Sequence, residues 1–187
     1  DELEELRTTV TKLLEDLKKI SDDLREEVRR LLEEVEEISK RLEETVRRII
    51  KRVEDIVRRD GGRDERVVRE VARILEDIER LLRESLKRSK EVLDEIEKLL
   101  RDSEKISRTI LEKIERDLER LLRRKKDVKD VKEVVKKLRD ELRRVLERNK
   151  EVIDRLREKA REVLEKDRKL VDDLREEARE VLERVKT

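Results

Sequence analysis

The sequence predicts an all-α protein: a straight, antiparallel three-helix bundle with helices of about 60 residues and an 18-residue, five-turn layer repeat. Three observations carry this. Apolar residues recur in alternating steps of four and three along nearly the whole chain, the spacing of one helix face. Equivalent positions return after every five turns, an 18-residue repeat that keeps the 3.6-residue pitch of an undistorted helix. A strict heptad would impose a left-handed supercoil and an 11-residue repeat a right-handed one. The third observation is composition. Of 187 residues 58% are charged and 34% apolar, and Cys, Phe, His, Met, Pro, Gln, Trp and Tyr are absent. Charged residues and Leu, Val and Ile at helical period are the composition of long helices.

The elements follow in order within a single bundle spanning 1–187: helix 1 over about 2–59, a turn at 60–63, helix 2 over about 64–124, a turn at 125–127, and helix 3 over about 128–186. Asp1 and Glu4 form a capping-box-like start. The first seam runs Leu6, Val10, Leu13, Leu17, Ile20, Leu24, Val28, Leu31, Val35, Ile38, Leu42, Val46, Ile49, Val53 and Ile56, flanked by Leu14, Leu32 and Ile50. That stripe is wide enough to face two neighbours. Arg58 and Arg59 suit the helix C-terminus, and Gly61-Gly62 supplies a C-cap that enters the left-handed region freely. Asp64 and Glu65 open the second helix, whose seam includes Val71, Ile78, Leu82, Ile96, Leu100, Ile114 and Leu118. It closes on Arg123-Arg124-Lys125-Lys126. Asp127 then serves as an N-cap, and Val128 and Val131 restart the stripe. The third seam is Leu138, Leu142, Val145, Asn149, Val152, Leu156, Ala160, Val163, Asp167, Leu170 and Leu174. This second turn lacks Gly and Pro, so a helix unbroken from 63 to 187, covered by dimerisation, is the competing arrangement.

Polar residues interrupt the seams in register. All six serines lie on or beside an apolar stripe, as do Asn149 and Asp167. If the chain folds back at Gly61-Gly62, residues whose numbers total about 124 face each other. Ser21 with Ser103, and Ser39 with Ser85, both meet that total. A second fold near 126 brings together numbers totalling 252, which Asn149 with Ser103 and Asp167 with Ser85 satisfy. The expectation is two buried polar layers: Ser21, Ser103 and Asn149 with Ser107 one turn away, and Ser39, Ser85 and Asp167 with Ser89 one turn away. Asn both donates and accepts, as does Ser, whereas an ionised Asp only accepts and needs the hydroxyls as donors. Without them a buried carboxylate costs several kcal/mol. Such layers fix register at some cost in stability. A single serine on a seam is ordinarily a tolerated small residue; the matched numbering across three segments favours the layers.

Other chemistry is excluded residue by residue. Lys and Arg number 55 and Asp and Glu 54, and no segment is strongly one-signed, so the basic face of a nucleic-acid binder is missing. No aromatic ring is present to stack a base. No apolar run approaches a membrane span. A Ser and Asp pair without His lacks the base of a nucleophilic relay. Di-iron bundle sites need Glu-x-x-His. Acidic pairs such as Glu33-Glu34 and Asp172-Asp173, and basic pairs such as Arg143-Arg144, read as solvated faces.

These features together resemble computationally designed helical bundles, in particular untwisted antiparallel three-helix bundles with buried hydrogen-bond networks. The residues that carry the resemblance are the 18-residue repeats, the Asp60-Gly61-Gly62 turn, the Glu/Lys/Arg surface and the embedded Ser, Asn and Asp rows. The resemblance implies a highly stable scaffold that is no enzyme, with no selected activity, no cofactor or metal and no nucleic-acid or membrane partner. It implies a soluble monomer, found in the cytoplasm of a producing host. The alternative is an interaction or assembly module, for which Val68, Leu75, Leu86 and Leu111, off the main seam, would mark a partner face.

Overall fold

The computed structural model describes residues 2–61, 64–125 and 128–186. Three helices account for nearly all of them: α1 Glu2–Asp60, α2 Glu65–Arg124 and α3 Lys129–Lys186. Their lengths are 59, 60 and 58 residues, and no strand occurs among the described residues. With no Pro, and no Gly before position 61, nothing interrupts the i to i−4 ladder.

The breaks have local causes. Gly61 takes φ +71°, and its N–H donates to the Val57 carbonyl at 2.9 Å, closing α1. Asp64 caps α2: its Oδ1 accepts from the Arg66 N–H at 2.9 Å. At the second break the Lys125 N–H reaches the Leu121 carbonyl at 3.0 Å, and the Val128 N–H reaches the Lys125 carbonyl at 3.3 Å. The expected roles of Asp1, Gly62, Lys126 and Asp127 lie outside the described residues. Val128 departs from expectation. It precedes the first helical residue, is 43% exposed and belongs to no helix face; Val131 is the first buried residue of α3.

The helices divide into two compact units. One comprises Asp1–Arg29 and Ile96–Lys159, the other Arg30–Glu95 and Ala160–Thr187. Each takes a segment from all three helices, and in each the α2 segment runs antiparallel to the other two. The first unit buries Val10, Leu14 and Leu17 of α1 against Ile114, Leu118 and Leu121 of α2 and Val131, Val135, Leu138, Leu142 and Val145 of α3. The second buries Leu42, Val46, Ile50 and Val53 against Val71, Leu75, Ile78 and Leu82 and against Val171, Leu174, Ala178, Val181 and Val185. Each fully buried Leu or Ile contributes about 1.5–3 kcal/mol.

On α1 the flanking row is buried together with most of the seam. Leu14, Leu32 and Ile50 are buried, whereas Leu13, Leu31 and Ile49 of the predicted seam are half-buried. Val10, Leu17, Val28, Val35, Val46 and Val53 of the seam are fully buried, so the buried stripe takes in both rows, as a face that meets two helices requires. On α3 likewise, Val171 is 1% exposed and its neighbour Leu170 is half-buried.

Candidate functional site

The polar residues on the seams are the candidate site. Each expected group falls within one unit: Ser21, Ser103, Ser107 and Asn149 in the first, Ser39, Ser85, Ser89 and Asp167 in the second. Ser21, Ser103, Ser107 and Asn149 are 6–8% exposed, Ser89 is fully buried, and Asp167 is 1% exposed. Ser39 and Ser85 are half-buried.

In the second unit Ser39 Oγ donates a short hydrogen bond to Asp167 Oδ1. Asp167 Oδ2 is buried without a partner, and so are Ser85 Oγ and Ser89 Oγ. One of the three expected serines therefore donates to the carboxylate. The cause is reach: a serine hydroxyl extends only one bond beyond Cβ, so facing positions meet only where the helices come close. In the first unit Asn149 Nδ2 donates to the Leu17 carbonyl at 3.4 Å. A carbonyl inside a helix keeps a second lone pair. Ser107 Oγ is buried and unpartnered.

Open grooves lie over these positions. One of about 370 Å³, between α2 and α3, is lined by residues that include Ser107, Leu111, Leu146, Asn149 and Ile153. One of about 210 Å³, between α1 and α3, includes Ser39, Val163, Asp167 and Leu170. Among the described residues no group of three or more His, Cys, Asp or Glu side chains could hold a metal. No helix among them is long and apolar enough to cross a membrane. Chemically, the Ser39–Asp167 pair is an acceptor met by one donor.

Sequence reasoning missed a row of ion pairs between α2 and α3. Glu115 pairs with Arg139 at 3.7 Å, Glu97 with Arg157 at 3.3 Å, and Glu79 with Arg175 at 2.9 Å. Successive acids in this row are one repeat apart, and so are successive arginines. Their numbers total 254, so the matching that found the polar rows would have found these as well had it been applied to charges. Glu104 joins Arg157 at 2.9 Å, and α1 contributes Arg47 to Glu177 of α3 at 3.0 Å. Burial raises the Glu79 pKa, but the hydrogen bond and charge of Arg175, then Arg83, outweigh it and leave the carboxyl below its ordinary value. Arg175 is held above its ordinary value by its hydrogen bond to Glu79, against the opposing effect of burial. For Arg157 burial is the largest influence and lowers the pKa, yet Glu97 and Glu104 together raise it.

No protein-family model matches the chain, and no curated protein matches it. Among solved structures it is similar to one described as a "Computationally designed three helix bundle", with TM-score 0.77 and 19% identity over 98% of this chain and 88% of that one. At that identity the likeness shows the fold.

Proposed function

We propose that the chain is a computationally designed scaffold with no natural activity, a monomer whose buried polar positions hold its helices in register. The observation that carries this reading is one period acting at every level. The apolar seams, the serine rows, Asn149 with Asp167, and the Glu79–Glu97–Glu115 and Arg139–Arg157–Arg175 rows all follow the same 18-residue repeat. Idealised backbones produce that regularity, because every layer is given the same geometry. The solved neighbour of designed origin supports it.

The polar positions limit sliding. Shifting α3 by one turn against α1 would separate Ser39 from Asp167 and leave the whole carboxylate buried and unmet. The four residues that would mark a partner face support the monomer instead. Leu75 belongs to the core of the second unit and Val68 and Leu86 pack against it, while Leu111 packs against the core of the first.

The test is thermal. Idealised bundles are typically hyperstable, so circular dichroism should show no cooperative loss of helix below about 90 °C. A cooperative transition near about 60 °C, as in ordinary mesophilic domains, would overturn the design reading. Light scattering on the eluting peak should give the 22.8 kDa monomer at all concentrations. A mass that rises with concentration would favour the assembly module.

A further inference from the structure

We propose that the groove between α2 and α3 over Ser107 and Asn149 binds a small amphipathic anion, an aryl or alkyl sulfonate or carboxylate. The groove has a cause in the sequence. Serine and asparagine stand at positions where the seam elsewhere carries Leu, Ile or Val, and their shorter side chains leave about 370 Å³ open to one side. That volume suits a two-ring molecule.

The lining defines the ligand. Leu111, Leu146 and Ile153 supply apolar walls for a hydrocarbon body. Ser107 is 8% exposed, and its Oγ has no partner within the protein, so it offers a hydroxyl donor to a ligand oxygen. A buried polar atom left unmet is costly, and a bound oxygen would relieve it. At the rim stand Arg108, Lys150 and Arg157 against Glu104 and Asp154, an excess of one positive charge. Arg157 is held by Glu97 and Glu104, whereas Arg108 and Lys150 are exposed and make no ion pair with a described residue. They are the cations available to an incoming anion. A bare inorganic anion would leave the apolar walls unused, and a neutral hydrocarbon would leave the cations unused.

The full chain would be titrated with 8-anilino-1-naphthalenesulfonate, following fluorescence and backbone amide shifts. One saturable site is expected, with Kd on the order of 10–100 μM for a ligand of this size. The shifts should gather in 104–111 and 146–157. Ser107→Leu fills the groove floor and should weaken binding by at least about tenfold. Lys150→Glu, at an exposed position that leaves the fold intact, should weaken it several-fold. N-phenyl-1-naphthylamine, which lacks the sulfonate, should bind at least about tenfold more weakly than the sulfonate. Unsaturable binding, shifts gathered elsewhere, or equal affinity for Lys150→Glu and the parent chain would each overturn the proposal. So would equal affinity for the two probes.

Discussion

Asn149 and Asp167 stand one repeat apart on α3, at equivalent points of the stripe, and their surroundings treat them differently. Asn149 carries no charge and gives its amide N–H to a backbone carbonyl of α1. Asp167 instead takes a hydroxyl hydrogen from the Ser39 side chain of α1. The difference lies in what each leaves over. An amide finds partners anywhere along a helix, because carbonyls occur at every turn and keep a lone pair. A carboxylate needs donors, and helix interiors offer none beyond side chains. Asp167 Oδ2 stays unmet although two serine hydroxyls of the same group are unpartnered. The second unit is thus the more demanding environment, and the first the more forgiving.

The largest expected effect tests whether the two units are alike apart from those polar residues. Leu118 of the first unit and Leu82 of the second are both fully buried. Leu118→Ala and Leu82→Ala should each cost about 2–5 kcal/mol, and the two costs should agree within about 1 kcal/mol. Guanidinium unfolding of both variants checks this; a gap much larger than that would place the difference in the apolar packing.

The next effect isolates the polar chemistry and has opposite sign in the two units. Ser39→Ala removes the hydroxyl that donates to Asp167, leaves a buried acceptor unmet and should cost about 1–3 kcal/mol. Ser107→Ala removes a buried hydroxyl that has no partner, so its effect should be neutral or stabilising by up to about 1 kcal/mol. Equal destabilisation of both variants, measured by the same unfolding experiment, would mean that the serines act only through their volume.

The smallest effect concerns the Glu79–Arg175 pair of the second unit. Glu79 titrates below its ordinary value of 4.5 in the folded chain. Its contribution is therefore complete above the unfolded value and is lost as pH falls through the folded one. The stability difference between the parent chain and Glu79→Gln should be at most about 1 kcal/mol at neutral pH. It should shrink as pH falls below the ordinary carboxylate range and Glu79 is protonated in both states. A difference independent of pH would sink the electrostatic account.

Much of this architecture is legible in the residues. The helical type follows from the 3.6-residue stripe, and the first break from Gly61, whose positive φ no other position shares among the described residues; the break between α2 and α3 carries no such mark. The numbering placed Ser39 and Asp167 in one group, and their side chains share a hydrogen bond between α1 and α3. The same numbering paired Asn149 with serines, while its amide bonds to Leu17. A count of residues specifies which turns face each other to within one turn. It does not specify which atom lies nearest, since that depends on displacements of an ångström or two. The Glu and Arg rows were equally periodic, yet against a surface drawn from a chain that is 58% charged they carried no contrast.

The helical type, the end of the first helix and the apolar stripe of each helix are written into the chain itself, whereas the second break, which no Gly or Pro marks, was settled by the fold. The first three properties are local: a helix closes its own hydrogen bonds within four residues, and its apolar stripe follows from its pitch. Packing in three dimensions set the rest. It put Leu14, Leu32 and Ile50 deeper than Leu13, Leu31 and Ile49, gave Asp167 one serine, and gave Asn149 a carbonyl. Each of those outcomes depends on where two neighbouring helices sit across a stripe broad enough to allow more than one centre, and no single helix carries that information.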